Sequence, residues 1–177
     1  MPEQRDGLRR NVELKARDLD PARSRAVCLQ IDADDQGELW QRDTYFEVGR
    51  GRLKLREQEP GADQLVFYER ADDAAERLSA YWLANVGDAR ALRQLLGAAH
   101  GEVAVVEKRR RLFLWDCVRI HLDEVSGLGS FLELEAVARP TSDLTREQAL
   151  VRSLRARLGI TDEQLVPSSY ADLVTRR

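Results

Sequence analysis

The sequence predicts an α+β fold dominated by antiparallel strands, and three observations carry that reading. About eight segments alternate apolar and polar residues with the period of two that a strand imposes. Short turn signals, Gly49, Pro60-Gly61 and Gly127-Leu128-Gly129, separate many of them, so the chain reads as meanders. Three other segments open on helix caps instead, at Asp20-Pro21, Asp88, and Ser142 or Asp143. With 177 residues, no internal repeat and no long linker, the whole of 1–177 is expected to be one domain. Its strand core covers 8–138, and Arg139-Pro140-Thr141-Ser142 sets off a helical segment over 142–175.

Residues 8–17 alternate around Val12, Leu14 and Ala16 and read as the first strand. Asp20 then caps a helix whose first turn holds Pro21 and which runs to residue 31. Strands follow over 41–48, 51–57 and 64–70, with a further one over 79–86. Asp88 caps a helix through Leu96, stopped by Gly97 or Gly101. The spacing next predicts strands over 102–113, 114–122 and 130–137, with turns at Trp115-Asp116 and Gly127-Leu128-Gly129. Beyond Pro140 a helix capped by Ser142 or Asp143 runs to Leu158, Gly159 ends it, and a short turn over 170–174 closes the chain.

The chain carries 28 basic and 31 acidic residues, for a net charge of −3. That balance argues against a general nucleic-acid binder, which needs a basic excess to neutralise phosphates. No apolar run reaches membrane-span length and the first residues carry no signal-peptide stretch, so no membrane association and a cytoplasmic location are expected. Cys28 and Cys117 stand far apart without CxxC spacing, which suggests neither a zinc site nor a disulfide framework. The basic residues comprise 25 Arg and 3 Lys, a bias that genome composition explains more economically than function.

Charged residues nevertheless make up 33% of the chain, above the roughly 25% of an average domain, and their placement is specific. One face of the strands collects Glu13 and Lys15 after Asn11, then Arg52, Lys54 and Arg56, then Lys108 and Arg110. It continues with Arg119, His121 and Asp123, and ends with Glu133 and Glu135. A solvated face mixes Ser, Thr, Gln and Asn with charges; this one is almost wholly charged and segregates by sign. A closed barrel would turn it inward, where charge must be paired or hold an ionic ligand. Seven cations against four anions favour a polyanion, since Arg offers a planar fork of donors and Lys a point charge. The carboxylates suit a hard divalent cation that bridges to it.

The segment Asn11-Val12-Glu13-Leu14-Lys15 resembles the Glu-x-Glu-x-Lys signature of the CYTH superfamily, the triphosphate tunnel metalloenzymes. The resemblance continues in family order through the segments 51–57, 106–110, 119–125 and 129–135, and is nearest to the class IV adenylyl cyclase branch. It implies an eight-stranded antiparallel β-barrel, a tunnel with flanking helices, that binds a triphosphate and Mg²⁺ or Mn²⁺. On this sequence the implied metal ligands are Glu13, Glu133 and Glu135, with Asp123 as a further or supporting carboxylate. The implied phosphate clamps are Lys15, Arg52, Lys54, Arg56, Lys108, Arg110 and Arg119, with Arg70 as an addition; Lys15, Arg119 and Asp123 are the implied catalytic groups. Asn11 stands where the family has its first Glu and ligates without charge, which weakens a second metal site. His121 also lies on the charged face, where a structural role is expected ahead of phosphate or base contact.

Three activities follow from one site. A cyclase would convert ATP to cyclic AMP and pyrophosphate. A triphosphatase would hydrolyse inorganic triphosphate, thiamine triphosphate or a nucleotide. A binding module would sense polyphosphate without turnover. A homodimer is an expectation from the resemblance alone. Arg109 and Arg111 are expected in solvent, and Trp40, Tyr45, Phe46, Trp82 and Trp115 in the core or an interface.

Overall fold

In the computed structural model the described residues are 8–70 and 77–176, without the side chains of Arg70 and Arg77. Strands β1 (Arg9–Arg17), β2 (Asp34–Phe46), β3 (Arg52–Glu59), β4 (Asp63–Arg70) and β5 (Arg77–Val86) precede β6 (Glu102–Trp115), β7 (Val118–Val125) and β8 (Gly129–Val137). The helices are α1 (Pro21–Gln30), α2 (Ala89–His100), α3 (Thr145–Leu158) and α4 (Tyr170–Thr175). The eight strands pair antiparallel into a closed barrel in the order β1-β5-β4-β3-β2-β6-β7-β8. Two meanders, β2 to β5 and β6 to β8, stand side by side, and β1 closes the ring between β5 and β8. Closure leaves no sheet edge and gives every strand one face toward the interior.

The apolar residues face outward, where the helices cover them. Val12, Leu14, Ala16, Ile120, Leu132 and Leu134 form one core with Cys28 of α1 and Val151, Leu154 and Leu158 of α3. Phe46 and Leu55 form another with Ala89 and Leu96 of α2. Helix α4 supplies Tyr170 and Ala171 to a third, with Tyr45, Val106 and Phe131, at one end of the barrel. The Phe131 and Tyr170 rings meet edge-on with centroids 4.9 Å apart.

Local chemistry explains most boundaries. Asp20 and Asp88 cap α1 and α2 by accepting from the N–H of Arg23 (3.0 Å) and Ala91 (2.9 Å). Gly101, not Gly97, ends α2, at φ 79°. Helix α3 departs from its predicted cap: Leu144, at φ 70°, precedes it, while Ser142 and Asp143 accept from the N–H groups of Leu144 and Thr145 (both 3.0 Å). The turn expected over 170–174 is the helix α4, capped by a reciprocal pair of bonds between Ser169 and Asp172. Gly51 is required at its position: at φ 64°, a Cβ there would stand 2.7 Å from the Phe67 ring.

Strand β2 begins seven residues before its predicted start, because pairing with β6 overrides the turn-like run Asp34-Asp35-Gln36-Gly37. The pairing shifts register between Asp35 and Glu38, and Asp35 binds Arg111 of β6 at 2.6 Å. Leu114 and Trp115 end β6 and do not start β7; the turn is Asp116-Cys117, with Asp116 at φ 55°. Tyr45 and Phe46 are buried as expected, but Trp40 is exposed. Among the described residues no helix is long and apolar enough to cross a membrane.

Candidate functional site: an ionic cavity inside the barrel

Alternation along each strand turns the charged face inward, and the barrel encloses a cavity of about 440 Å³. Its lining takes Asn11, Glu13 and Lys15 from β1, Lys54 and Arg56 from β3, and Lys108 and Arg110 from β6. Arg119 and His121 of β7 and Glu133 and Glu135 of β8 line it as well. Lys15, Lys108 and Arg110 are only 3–5% exposed, so these charges are interior.

Two predicted residues stand off the lining. Arg52, at the start of β3 where α4 docks, donates to Asp172 Oδ2 at 2.9 Å. Asp123 is buried behind the cations it holds: Arg110 donates to both its oxygens (2.6 and 2.5 Å), Tyr170 Oη donates at 3.0 Å, and Lys108 Nζ stands at 3.3 Å. Asp123 therefore acts on the cavity through Arg110 and Lys108. Arg70 pairs with Ser79 on the backbone, and its side chain lies outside the described residues. The register of β4 puts Gln64, Val66 and Tyr68 on the lining.

Sequence reasoning missed Asp43. It is 1% exposed on β2, and Lys54 and Arg56 donate to its two oxygens in three bonds of 2.8 Å. Burial opposes its ionisation, but Arg56 and Lys54 outweigh that and hold it well below the usual carboxylate range. Asp43→Asn leaves two mostly buried cations without their counter-charge. Its expected cost is about 3–5 kcal/mol, the usual result of breaking a buried pair from one side. Urea denaturation measures this loss, and added tripolyphosphate is expected to restore more stability to the variant than to the wild type.

All three lysines gather at the end that α4 closes. Lys15 Nζ lies 3.1 Å from Glu133 and 3.9 Å above the Tyr170 ring; Lys108 Nζ lies 4.8 Å from the same ring. Lys54 Nζ lies 5.5 and 5.7 Å from the rings of Tyr45 and Tyr68. Burial and the neighbouring Arg56 push Lys54 down to about 7, and burial with Arg110 lowers Lys108. The opposite end is different. There the last lining positions of five consecutive strands are uncharged, Leu83 of β5, Gln64 of β4, Gln58 of β3, Leu39 of β2 and Leu112 of β6, while β1 and β7 bring Arg9 and Arg119 to the remaining side.

The carboxylates meet across β1 and β8, where Glu13 pairs with Glu135 and Lys15 with Glu133 in register. Glu133 accepts from Arg110 at 2.6 Å, and although burial opposes ionisation, Lys15 and Arg110 hold it well below the usual range. Glu135 accepts from the Asn11 amide and faces Arg119 at 3.5 Å. His121 Nδ1 is 3.7 Å from Glu133, beyond hydrogen-bond range, and burial with Arg110 lowers its pKa. In this arrangement no three His, Cys, Asp or Glu side chains among the described residues converge on one metal position. The donor set still suits a hard cation: Glu13, Glu133 and Glu135 line one cavity, and Asn11 Oδ1 is buried without a partner.

A closed eight-stranded barrel with a paired ionic interior and one capped end defines a tunnel fold. The chain belongs to the CYTH domain family, whose model matches residues 9–170. Adenylate cyclase CyaB of Aeromonas hydrophila is 25% identical over 140 residues, covering 75% of this chain and 71% of that protein. Among solved structures, PH1012 of Pyrococcus horikoshii superposes with a TM-score of 0.82 at 24% identity, over 92% of this chain and 98% of that one. HpAC1 of Hippeastrum, an adenylyl cyclase candidate with a dominant triphosphatase activity, matches with a TM-score of 0.63 at 15% identity, over 94% and 95%.

Proposed function

We propose that the protein is a metal-dependent enzyme that acts on a nucleoside triphosphate, and that its reaction is that of a class IV-type adenylyl cyclase. One observation carries this reading: a single cavity gathers three lysines at its closed end, while toward its other end the lining of five strands is uncharged, with Arg9 and Arg119 on the remaining side. Inorganic triphosphate has no use for the second feature, whereas a nucleotide matches both. The CyaB relative supports the cyclase over other nucleotide chemistry.

In this reading the terminal phosphates lie at the closed end, with Lys15, Lys54 and Lys108 as point charges around them. Arg56, Arg110 and Arg119 hold the rest of the chain of phosphates. The ribose 3′-oxygen bonds to the α-phosphorus, the bridging α–β P–O bond breaks, pyrophosphate leaves with its electron pair, and the hydroxyl proton passes to solvent. Arg119 neutralises charge at the α-phosphoryl group and Lys15 on the departing pyrophosphate, while Asp123 positions Arg110 and Lys108. Glu13, Glu133, Glu135 and the Asn11 oxygen would hold Mg²⁺ or Mn²⁺ by exchanging present partners such as Arg110. The ion would supply charge neutralisation of the phosphate oxygens.

Incubation with ATP and Mg²⁺ or Mn²⁺, and separately with tripolyphosphate, tests the reading. Cyclic AMP and pyrophosphate in equal amounts are expected. Free phosphate from either substrate would replace the cyclase by a triphosphatase, and tight binding without product would replace the enzyme by a sensor.

A further inference from the structure

We infer that Gln41 is a specificity-determining residue of this cavity, whose amide oxygen accepts a hydrogen bond from an N–H or O–H donor on the organic part of the ligand. The inference rests on the nucleotide reading above and goes beyond it by naming the group that is read. Gln41 lines the cavity on β2 between the two ends, in register with Lys108 of β6 on one side and Gln58 of β3 on the other, and is 3% exposed. Its Nε2 donates to Gln58 Oε1 at 2.9 Å, and Gln58 Nε2 in turn donates to the Ala62 carbonyl at 2.8 Å.

That chain has one direction. A backbone carbonyl only accepts, so Gln58 must present its NH₂ to Ala62 and its oxygen to Gln41. Gln41 must then spend its NH₂ on Gln58, which leaves its oxygen as the end without a partner. This Oε1 is buried and has no hydrogen-bond partner. A buried acceptor left unpaired is unfavourable, so its retention in a lining position fits an acceptor completed by a bound molecule. The turn supports the relay: a Cβ on Gly61 would stand 2.9 Å from Gln58 Nε2, so glycine there leaves room for the Gln58 amide.

An oriented acceptor discriminates by donor pattern. The exocyclic amino group of adenine donates; hypoxanthine carries a 6-oxo acceptor at that position and its donor on N1 instead, and a ribose hydroxyl is the other donor of the same chemistry. Inorganic triphosphate offers no such group. A site built to pair a donor rejects the analogue without it more strongly than an apolar pocket rejects a change of shape.

The test is equilibrium binding of ATP, inosine triphosphate, 2′-deoxy-ATP, 3′-deoxy-ATP and tripolyphosphate to the full chain, wild type and Gln41→Met, by calorimetry. The wild type is expected to bind ATP about tenfold tighter than the one analogue that lacks the donor being read, one hydrogen bond's worth. Gln41→Met is expected to lose that tenfold for ATP and to bind tripolyphosphate unchanged. Loss with inosine triphosphate assigns the donor to the base, and loss with a deoxy analogue assigns it to the sugar. Gln58→Met, which frees the Gln41 amide to rotate, is expected to erase the same preference without altering Gln41. Equal wild-type affinities for ATP and all three analogues would overturn the inference while leaving triphosphate binding intact. A wild type that binds none of these ligands would overturn the nucleotide reading itself.

Discussion

Glu133→Gln is expected to lose metal-dependent turnover by on the order of a thousandfold, because several kcal/mol of charge stabilisation corresponds to tenfold per about 1.4 kcal/mol. The fold is expected to survive. Arg110 keeps both bonds to Asp123, and Lys15 keeps the Ser168 carbonyl at 3.4 Å and the Tyr170 ring. The substitution also makes the cavity less negative, so two binding measurements move in opposite directions. Mn²⁺ affinity, followed by electron paramagnetic resonance, is expected to fall, while metal-free tripolyphosphate affinity holds or rises. Loss of both would show that Glu133 acts only by holding Lys15 and Arg110, and retained turnover would remove it from the metal site.

The second large effect is the pH dependence of triphosphate binding. Lys54, pushed down to about 7 by burial and Arg56, is a cation below that pH and neutral above it. A bound phosphate favours the cation and raises its pKa. Affinity therefore falls as pH rises from about 7 to the pKa of the bound state, and is constant with respect to Lys54 below 7. Lys54→Arg stays charged throughout, so the wild type minus Lys54→Arg difference cancels the ligand's own titration and isolates the lysine. Lys54→Ala is expected to bind tripolyphosphate about ten- to a hundredfold more weakly at pH 6, the loss of a charge-assisted bond, and to lack this pH dependence. A wild-type profile parallel to that of Lys54→Arg would mean that Lys54 does not change charge in this range.

How much of this was legible in the sequence depends on strand face. On β1, β7 and β8 an outward apolar row faces helices and an inward charged row faces the cavity, so simple alternation exposed Lys15, Arg119 and Glu133; on β6 the outward row is Glu107, Arg109 and Arg111, and alternation still set Lys108 and Arg110 on the other face. The C-terminal half of β2 gave no such signal. There Asp43, Thr44, Tyr45 and Phe46 are all buried, because α2 packs over the outside of the barrel while Lys54 and Arg56 fill the inside. Period two disappears when both faces are covered, and Asp43 and Gln41 went unnoticed with it. Tyr170 was invisible for another reason: its role comes from docking a short terminal helix across the barrel end, far in sequence from Lys15 and Asp123. Arg52 shows the reverse error, since its alternation was right but its place at the first residue of β3 brings it to Asp172 of α4.

The three lysines, scattered at positions 15, 54 and 108 among 25 arginines, converge on the closed end of one cavity, each beside a carboxylate. The measurement that tests their role most directly is a crystal structure of the protein with a non-hydrolysable ATP analogue. The terminal phosphate is expected within hydrogen-bond distance of Lys15, Lys54 and Lys108 beside Tyr170, with the base toward Leu39, Leu83 and Leu112. An analogue bound on the outer wall, or inside with its phosphates among those leucines, would contradict the account.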